Sequence, residues 1–374
     1  MIGARGWRCV LIAVGVIALS VAFVLLLGSQ SPAGAGAAVP AVANSDGESF
    51  VYRFDPGTSS FVFTFTVPTD NANPWDVVVV SGASHEEVWF TEAGANRIGR
   101  LTYTDTNDYA FQQYTLAAGS RPLNLVSGGG FIWFTEAGGD RIGRLDPTTG
   151  QIDEFEVTPG SYPADLDYAA DGSIWFTEMM ADQIARLVIT STDDYAVTEY
   201  FTSSLSGGRP YGIVVDGTSV HFAQTVDDRV IRFTPPGSWV HIHSLVSDIP
   251  DEPYALVLDG LGRLWGTERA GNRVSQFVVY GTFPLVVPYS LTPANSLPTS
   301  LVADANNHLW FTQWQAGQIG RLIPGGHPQK DYFPMPLAGL TPTGIATDSA
   351  GNIWVLASRP YRIRLPVIMR SWRR

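Results

Sequence analysis

Residues 132–145 read Ile-Trp-Phe-Thr-Glu-Ala-Gly-Gly-Asp-Arg-Ile-Gly-Arg-Leu, and six close variants of this phrase occur elsewhere in the chain. The variants begin at Val88, Ile174, Val220, Leu264, Leu309 and Ile353. The second residues of the seven copies are Trp89, Trp133, Trp175, His221, Trp265, Trp310 and Trp354, spaced by 44, 42, 46, 44, 45 and 44 residues. A period of this length that carries short strands is typical of a β-propeller or a similar repeat array.

Each repeat contains four short apolar or alternating stretches separated by turn residues, as expected for strands. The first stretch of each repeat begins with a proline: Pro74, Pro122, Pro163, Pro210, Pro253, Pro298 and Pro342. The seventh repeat lacks a fourth strand of its own, whereas Ser60–Val67 resembles Ile152–Val157, the outermost strand of the second repeat. We therefore predict an all-β fold, a seven-bladed β-propeller of four-stranded blades over residues 44–367, closed by an N-terminal strand that removes an open sheet edge.

The charges of the 374-residue chain are unevenly distributed around a net charge of −12. Residues 1–43 and 359–374 contain only basic charges, so the rest of the chain holds 15 basic and 35 acidic residues. An acidic body of this kind repels nucleic acid, and we expect no nucleic-acid partner. The only cysteine, Cys9, precedes the repeats, which excludes disulfide, cysteine-zinc and cysteine-nucleophile chemistry in the body.

Residues 1–43 have the order of an export signal. Two arginines precede an apolar run over residues 9–27, and residues 28–43 are rich in Gly, Ala, Ser and Pro. Because the apolar run is close to the ~20 residues that span a bilayer, the segment is either cleaved or retained as a membrane anchor through residues 9–27. In both cases we expect an extracytoplasmic protein, secreted or anchored to the membrane. Residues 368–374 form a basic tail.

The repeated phrase resembles that of the streptogramin B lyase (virginiamycin B lyase) family. An especially close copy reads Trp310-Phe311-Thr312-Gln313-Trp314-Gln315-Ala316-Gly317-Gln318-Ile319-Gly320-Arg321, and the resemblance covers about residues 50–365. It implies a seven-bladed propeller that opens cyclic depsipeptide antibiotics by elimination at an ester linkage, with magnesium. It also implies catalytic histidines directly after the inner-strand proline in late repeats, one of them in a Glu-Pro-His setting.

Histidine is not found at the positions that the resemblance implies. The residues after the seven prolines are Trp75, Leu123, Ala164, Tyr211, Tyr254, Thr299 and Thr343. The Glu-Pro-His setting occurs only as Glu252-Pro253-Tyr254, in the fifth repeat. A general base must hold a proton near the operating pH, which His does and Tyr or Thr ordinarily does not. We therefore predict that this chain lacks the family's catalytic His.

Three oxygen-bearing side chains occupy one position in neighbouring repeats. Asp76, Asn124 and Asp165 each lie two residues after the proline, where the other four repeats have Gly, Ala or Ser. Equivalent inner-strand positions of a propeller converge around its channel, and such oxygens suit calcium or magnesium. Gluconolactonase-type propellers similarly hold a divalent ion at the channel. The alternative is that each side chain caps a local turn or bonds a backbone amide.

The positions on either side of the proline carry aromatic and charged residues in several repeats. The candidates for a ligand-binding channel mouth are Trp75, Tyr211, Tyr254, Glu252, Arg121 and Arg209. Such residues could form a binding cup for a cyclic peptide, a sugar or a lactone. The alternative is that they pack against the adjacent loops.

The carboxylates that end the Trp-Phe strand repeat with the phrase itself. Glu92, Glu136, Glu178 and Glu268 occupy this position, and Arg97, Arg141, Arg229 and Arg273 lie five residues after it in four repeats. Since one position repeats with one residue type, we predict a structural role, in hydrogen bonds and ion pairs between blades.

Three hypotheses for function follow. The first is an extracytoplasmic binding or scaffold module that presents its channel face to a small molecule, peptide, glycan or another protein, without catalysis. The second is a divalent-metal-dependent lyase, a streptogramin B lyase-like C–O lyase that uses other residues. The third is a lactonase-like hydrolase acting at the channel with its ion at Asp76, Asn124 and Asp165. The second and third require Mg or Ca, and we favour the first because no catalytic base is evident.

Overall fold

The structure is a computed structural model that describes residues 47–81, 85–105, 108–191, 194–202, 207–243, 251–280 and 283–359. Of residues 241–243, 279–280 and 283–284 only the backbone is described. The predicted signal or anchor (residues 1–43), the last part of the predicted propeller domain (residues 360–367) and the basic tail (residues 368–374) lie outside the described residues. Within the described ranges, no helix has the length and apolar character needed to cross a membrane.

The described residues form 28 β-strands in seven four-stranded sheets. In chain order the first fourteen are β1 (Ser49–Asp55), β2 (Ser60–Thr66), β3 (Pro74–Ser81), β4 (Glu86–Glu92), β5 (Arg97–Asp105), β6 (Asp108–Thr115), β7 (Pro122–Gly128), β8 (Phe131–Glu136), β9 (Arg141–Leu145), β10 (Ile152–Glu156), β11 (Pro163–Tyr168), β12 (Ile174–Glu178), β13 (Gln183–Ser191) and β14 (Asp194–Phe201). The other fourteen are β15 (Pro210–Asp216), β16 (Ser219–Gln224), β17 (Arg229–Thr234), β18 (Ser238–His243), β19 (Pro253–Leu258), β20 (Leu264–Glu268), β21 (Arg273–Tyr280), β22 (Phe283–Ser290), β23 (Pro298–Ala303), β24 (Leu309–Gln313), β25 (Gln318–Ile323), β26 (Gln329–Pro334), β27 (Thr341–Thr347) and β28 (Ile353–Ser358).

The seven sheets are the blades of a propeller. Blades 1 to 6 each consist of four consecutive antiparallel strands, from β3–β6 in blade 1 to β23–β26 in blade 6. Blade 7 has the order β2-β1-β28-β27. Each innermost strand contacts the innermost strand of the next blade, and β27 of blade 7 contacts β3 of blade 1. The ring is therefore closed, and the prediction of a seven-bladed β-propeller is confirmed.

An N-terminal hairpin closes the ring. Strand β1 pairs with β28, and β2 forms the outer edge of the blade, so the predicted closing strand near residue 60 is joined by Ser49–Asp55. Side chains on opposite faces of β1 reach different neighbours. Phe54 shares an apolar cluster with Trp310 of blade 6, and Val51 shares one with Phe90 of blade 1. The hairpin therefore seals blade 7 against both adjacent blades.

The repeated phrase encodes packing within and between blades. Trp133 in β8 lies in one apolar cluster with Phe176 of the next blade. Gly143 in β9 lies against the ring of Phe134, and a Cβ atom there would stand 2.1 Å from that ring, so no larger residue fits without displacement. Arg144 stacks over Trp133, with its guanidinium carbon 5.5 Å from the ring centroid. The phrase recurs because each blade repeats the same contacts.

The threonine of the phrase joins blades 1, 2, 3 and 6 to the blade that follows. Thr135 Oγ1 donates to the carbonyl of Ala164 in the next inner strand (3.2 Å) and accepts from the N–H of Asn124 in its own blade (3.1 Å). Thr91 and Thr177 donate to the following inner strand in the same way. These hydrogen bonds fix the spacing of the inner strands, and therefore of the side chains that project into the channel.

The repeated Glu and Arg residues pair within blades rather than between them. Glu136 faces Arg141 across β8 and β9 at 2.7 Å, and Glu268 faces Arg273 across β20 and β21 at 2.8 Å. Arg141 also donates to Ser120, in the loop that leads into the same blade. The predicted structural role is thus observed, but the prediction of blade-to-blade bonds is wrong, because the two residues are direct cross-strand partners in one sheet.

Candidate functional site

A cavity of about 400 Å³ opens where the inner strands begin. We call it the mouth cup. Its lining residues are Asn73, Trp75, Ala93, Arg121, Leu123, Tyr162, Met179, Arg209, Tyr211, Thr225, Val226, Glu252, Tyr254 and Arg269. All six residues proposed from the sequence for the channel mouth are among them. The structure therefore brings these six together, although they come from four different blades.

Three aromatic side chains form the floor of the mouth cup. The indole N–H of Trp75 donates to the hydroxyl of Tyr211 at 2.9 Å, so a residue of blade 1 reaches a residue of blade 4 across the channel. The rings of Tyr211 and Tyr254 stack with their centroids 3.9 Å apart and their planes 21° apart. Burial raises the pKa of Tyr254 to about 12 and that of Tyr211 well above its usual value. Both phenols are therefore neutral at physiological pH.

The charged residues of the mouth cup have an uncommon backbone conformation. Arg121, Arg209 and Glu252, each directly before an inner-strand proline, have φ values of 47°, 49° and 50°. A residue before proline normally adopts an extended conformation, and left-handed residues other than glycine cost of order 1–3 kcal/mol each. Tyr162 shares this conformation with φ of 56°. The conformation thus recurs at the position whose side chains line the cup.

Acidic and amide side chains from the preceding blade hold these residues in place. Asn96 Oδ1 accepts from the N–H of Arg121 at 2.9 Å, and Asp182 Oδ1 accepts from the N–H of Arg209 at 2.9 Å. Asp228 Oδ1 accepts from the N–H of Glu252, also at 2.9 Å. The sequence reasoning missed this role, although an Asn or Asp directly before the Arg or Gln that opens the third strand is visible in the repeats.

Arg269 is a lining residue that the sequence reasoning also missed. It follows the Glu that ends the Trp-Phe strand, and its guanidinium carbon lies 4.5 Å from the centroid of the Tyr254 ring. The corresponding residues of the other repeats are Ala93, Ala137, Met179, Thr225, Trp314 and Ser358. This variability beside an otherwise repetitive phrase was the available signal, because a position with a different residue in nearly every blade has no common structural role.

A second cavity, of about 310 Å³, lies on the other side of the aromatic floor. We call it the channel cavity. Asp76, Asn124 and Asp165 all line it, together with Asp167, which the sequence reasoning did not identify. Trp75, Tyr211 and Tyr254 line both cavities, so the floor separates one from the other.

Each of the three predicted oxygen-bearing side chains bonds the backbone of the next inner strand. Asp76 Oδ2 accepts from the N–H of Leu125 at 3.2 Å, and Asp165 Oδ2 accepts from the N–H of Ile213 at 2.9 Å. Asn124 Nδ2 donates to the carbonyl of Ala164 at 3.0 Å. The alternative from the sequence, a bond to backbone, therefore describes their protein contacts, and the same side chains also face the channel cavity.

The carboxyl groups in the channel cavity have raised pKa values. Burial raises the pKa of Asp76 to about 6. Burial, with added repulsion from Asp76, raises the pKa of Asp165 to about 8. Burial also raises the pKa of Asp167. Asp165 is repelled by both Asp76 and Asp167, and none of the three has an ion-pair partner among the described residues, so the cavity favours a bound proton or a bound cation.

The donor set in the channel cavity has the chemistry of a hard-cation site. Two carboxylates and the amide oxygen of Asn124 are oxygen ligands of the kind that Ca²⁺ and Mg²⁺ prefer. An ion there would hold Asp76 and Asp165 in the ionised form. In the described part of the chain, no three His, Cys, Asp or Glu side chains are grouped closely enough to hold a metal.

The positions that would carry the family's histidines have other functions here. The Thr299 hydroxyl donates to the carbonyl of Leu297 and that of Thr343 to the carbonyl of Pro74, each at 3.0 Å. Among the described residues that line either cavity there is no histidine. His221 lies buried in blade 4 at the position of the repeated Trp, where burial lowers its pKa.

Comparison with known proteins shows which family the chain resembles. The model of the virginiamycin B lyase family matches residues 51–286 and 246–365. Virginiamycin B lyase from Nocardia farcinica is 30% identical over 109 residues, which is 29% of this chain. The chain matches about a third (35%) of the length of that relative.

Solved structures share the same architecture. A streptogramin B lyase structure superposes with a TM-score of 0.67 at 24% identity, covering 83% of this chain and 99% of that one. Virginiamycin B lyase from Staphylococcus aureus gives 0.65 at 25% identity, covering 76% and 94%. A 6-phosphogluconolactonase-like protein from Bacteroides uniformis gives 0.55 at 14% identity, covering 78% and 98%. The propeller fold is therefore shared with lactonase-like proteins as well.

Proposed function

This chain belongs to the virginiamycin B lyase family, and we propose that within it the chain is a binding module that takes a small organic ligand, peptide or glycan in the mouth cup and lacks the family's catalysis. The observation that carries the proposal is the aromatic floor. Trp75, Tyr211 and Tyr254 come from three separate blades and meet through a hydrogen bond and a ring stack. Cavities that hold organic ligands combine apolar and aromatic walls with placed polar groups, and here the aromatic floor lies beside four charged side chains that line the same cup.

The absence of a base at the expected positions supports a non-catalytic role. Catalysis by the family, as the resemblance implies it, needs histidines after the late inner-strand prolines, where this chain has Tyr254, Thr299 and Thr343. The pKa of Tyr254 is raised to about 12, so its phenol is a poor base at neutral pH. A structure exists of a catalytically inactive histidine-to-alanine variant of the Staphylococcus aureus virginiamycin B lyase with quinupristin, which makes quinupristin a suitable probe here.

We expect quinupristin to remain closed when it is incubated with the purified chain and magnesium. Chromatography that separates the closed from the opened ring tests this. A ligand that does bind should lose at least about tenfold in affinity when Trp75 is replaced by alanine, because a central aromatic anchor typically contributes 2 kcal/mol or more. Titration calorimetry with quinupristin and with a panel of cyclic peptides, sugars and lactones measures this loss.

The matched control is Phe201→Ala, which removes an aromatic ring that is 72% exposed on the outer strand of blade 3. It should leave the affinity unchanged. Ring opening by the wild type would refute the non-catalytic role, whereas binding that is insensitive to Trp75→Ala would refute the mouth cup as the site.

The second candidate function is a divalent-metal-dependent lyase or lactonase-like hydrolase acting at the channel. The observation that favours it is the pair of carboxyl groups, Asp76 and Asp165, which line one cavity and of which Asp76 adds to the cost of ionising Asp165. If Mg or Ca binds there, the ion would supply electrostatic stabilisation of developing negative charge on a substrate. Asp76, Asn124 and Asp165 are the residues that would hold it.

Calcium or magnesium should raise the Tm of the purified chain if this second function is correct. An ion at about 100 times its Kd stabilises the native state by about 2.7 kcal/mol. Asp76→Ala combined with Asp165→Ala should abolish the shift, and Asp171→Ala, at an exposed turn, should keep it. An unchanged Tm of the wild type would contradict both the lyase and the hydrolase hypotheses.

We also propose that the propeller acts outside the cytoplasmic membrane. The apolar run at residues 9–27 with its basic flank supports this proposal. Fractionation of cells that express the full chain tests it, and recovery in the cytoplasm would contradict it.

A further inference from the structure

The charge of the mouth cup is opposite to that of the protein. The chain has a net charge of −12, yet three arginines and one carboxylate, Glu252, line the cup. The three are Arg121, Arg209 and Arg269, and among the described residues the structure gives none of them an ion-pair partner. A basic cup in an acidic protein attracts anions to one place on its surface.

We propose that the mouth cup binds an organic anion, a carboxylate attached to a flat ring. This inference rests on the proposed function of the cup as a binding site, and it specifies the class of ligand. The flat ring would lie on the aromatic floor, because aromatic faces prefer to stack on planar groups. The carboxylate would be received by the arginines at the rim.

Arg269 is positioned to receive the carboxylate. Its guanidinium group is stacked on Tyr254, and its Nε is buried without a hydrogen-bond partner. Stacking occupies one face of the guanidinium and leaves its edge to donate. That edge is a rigid fork whose paired N–H groups match the two oxygens of a carboxylate. A buried donor without a partner is costly, and a small shift of the side chain on ligand binding would relieve it.

The channel cavity below the floor should keep a bound anion in the mouth cup and out of the channel. Asp76, Asp165 and Asp167 line the far side of the three rings. Asp76, whose pKa is about 6, is mostly ionised at neutral pH and places a negative charge on that side of the floor. An anion is therefore attracted at the rim and repelled from the channel. The size of the cup, about 400 Å³, is in the range of cavities that hold drug-sized ligands.

The test compares flat-ring carboxylates with their carboxamides. Naphthalene-2-carboxylate and indole-3-acetate are each titrated calorimetrically into the purified full chain, and the matching amides are titrated in the same buffer. We expect each acid to bind at least about tenfold more tightly than its amide, because hydrogen bonds to a charged group are the stronger kind. Added salt should weaken binding of the acids and leave that of the amides unchanged.

Three variants locate the preference for the acid. Arg269→Gln should reduce the acid-to-amide ratio towards one, while Glu252→Gln should increase it, because it removes the one carboxylate of the cup. Arg186→Gln is the matched control, since Arg186 pairs with Asp171 outside the cup and its loss changes the net charge equally. It should leave the ratio unchanged.

The outcomes separate this inference from the proposed function. Equal binding of acids and amides that Trp75→Ala abolishes would overturn the anion inference and leave the cup as a binding site. Binding of the acids that survives Arg269→Gln with its ratio intact would also overturn the inference. No binding of any probe at about 1 mM would count against the anion inference and the proposed function together.

Discussion

Replacement of Phe54 by alanine is expected to lower the free energy of unfolding by about 3–5 kcal/mol, the usual cost of truncating a fully buried phenylalanine. Phe54 is 0% exposed. Its ring centroid lies 4.7 Å from that of Phe333 and 5.6 Å from that of Trp310, both in blade 6. The substitution therefore removes contacts that hold the closing hairpin to its neighbour. Urea unfolding followed by far-UV circular dichroism measures the change.

Phe201→Ala is the matched control for this prediction as well. It makes the same chemical change at a side chain that is 72% exposed, so the free energy of unfolding should change by no more than about 0.5 kcal/mol. Equal effects of the two substitutions would mean that Phe54 is not buried in solution, and hence that β1 does not complete blade 7. A loss restricted to Phe54→Ala supports closure by the N-terminal hairpin.

The number of blades could be predicted because the blades pack against one another through equivalent residues. Trp133, Gly143 and Thr135 each make a contact that recurs in several other blades. Repeated contacts require repeated residues, so the period of the sequence reports the period of the structure. Glu136 and Arg141 carry the same periodicity, but periodicity alone does not say whether their partner lies in the same blade or the next.

The first closing strand could not be assigned from the sequence. Residues 51–54 and 362–365 both resemble a third strand, and local pattern does not choose between them. The choice of β1 depends on contacts such as that of Phe54 with Trp310, which is 256 positions further along the chain. A short stretch of sequence does not reveal a contact between residues that lie so far apart in the chain.

The candidate site could be predicted as far as equivalent positions converge on one axis. This reasoning placed Trp75 with Tyr254 and Asp76 with Asp165, as the two cavities show. It could not find Arg269, because that side chain reaches the cup from a turn and not from an inner strand. Nor could it anticipate the left-handed backbone of Arg121, since proline at the next position normally excludes that conformation.

The basic cup and the acidic channel cavity are connected by one physical feature, the aromatic floor. Trp75 and Tyr211 bridge the channel by a hydrogen bond between blades 1 and 4. The floor covers the carboxyl groups on the side of the mouth cup, and burial is the largest cause of the raised pKa of Asp165.

Lowering the pH from 8 to 6 is expected to stabilise the protein, and Asp165→Asn should remove much of this dependence. The pKa of Asp165 is 3.8 in an ordinary environment and about 8 in the native state. Between these pH values Asp165 is ionised in the unfolded chain and protonated in the native protein. The free energy of unfolding is therefore greatest below about pH 4 and falls as the pH rises towards 8. One proton corresponds to about 1.4 kcal/mol per pH unit, which gives a loss of up to about 3 kcal/mol between pH 6 and pH 8.

Asparagine is a suitable replacement because the fold already holds one at the equivalent position. Asn124 Nδ2 donates to the Ala164 carbonyl, which also accepts from a threonine of the phrase. In the next blade the carbonyl of Tyr211 accepts from Thr177 in the same way. An asparagine at position 165 can therefore adopt the arrangement of Asn124. Its amide cannot titrate, so the pH-dependent difference from the wild type isolates Asp165.

The measurement is urea unfolding between pH 5 and pH 8.5 with a chelator present, so that no cation neutralises the carboxylates. Asp76→Asn should remove the part of the pH dependence below about pH 6, where Asp76 itself titrates. It should shift the remaining part to lower pH, because the repulsion from Asp76 contributes to the raised pKa of Asp165. Asp171→Asn is the control: hydrogen bonds from Ser173 lower the pKa of Asp171, so Asp171 is ionised throughout this range and the effect of the substitution should be constant. Parallel curves for wild type and Asp165→Asn would mean that Asp165 is ionised in the native state throughout this range.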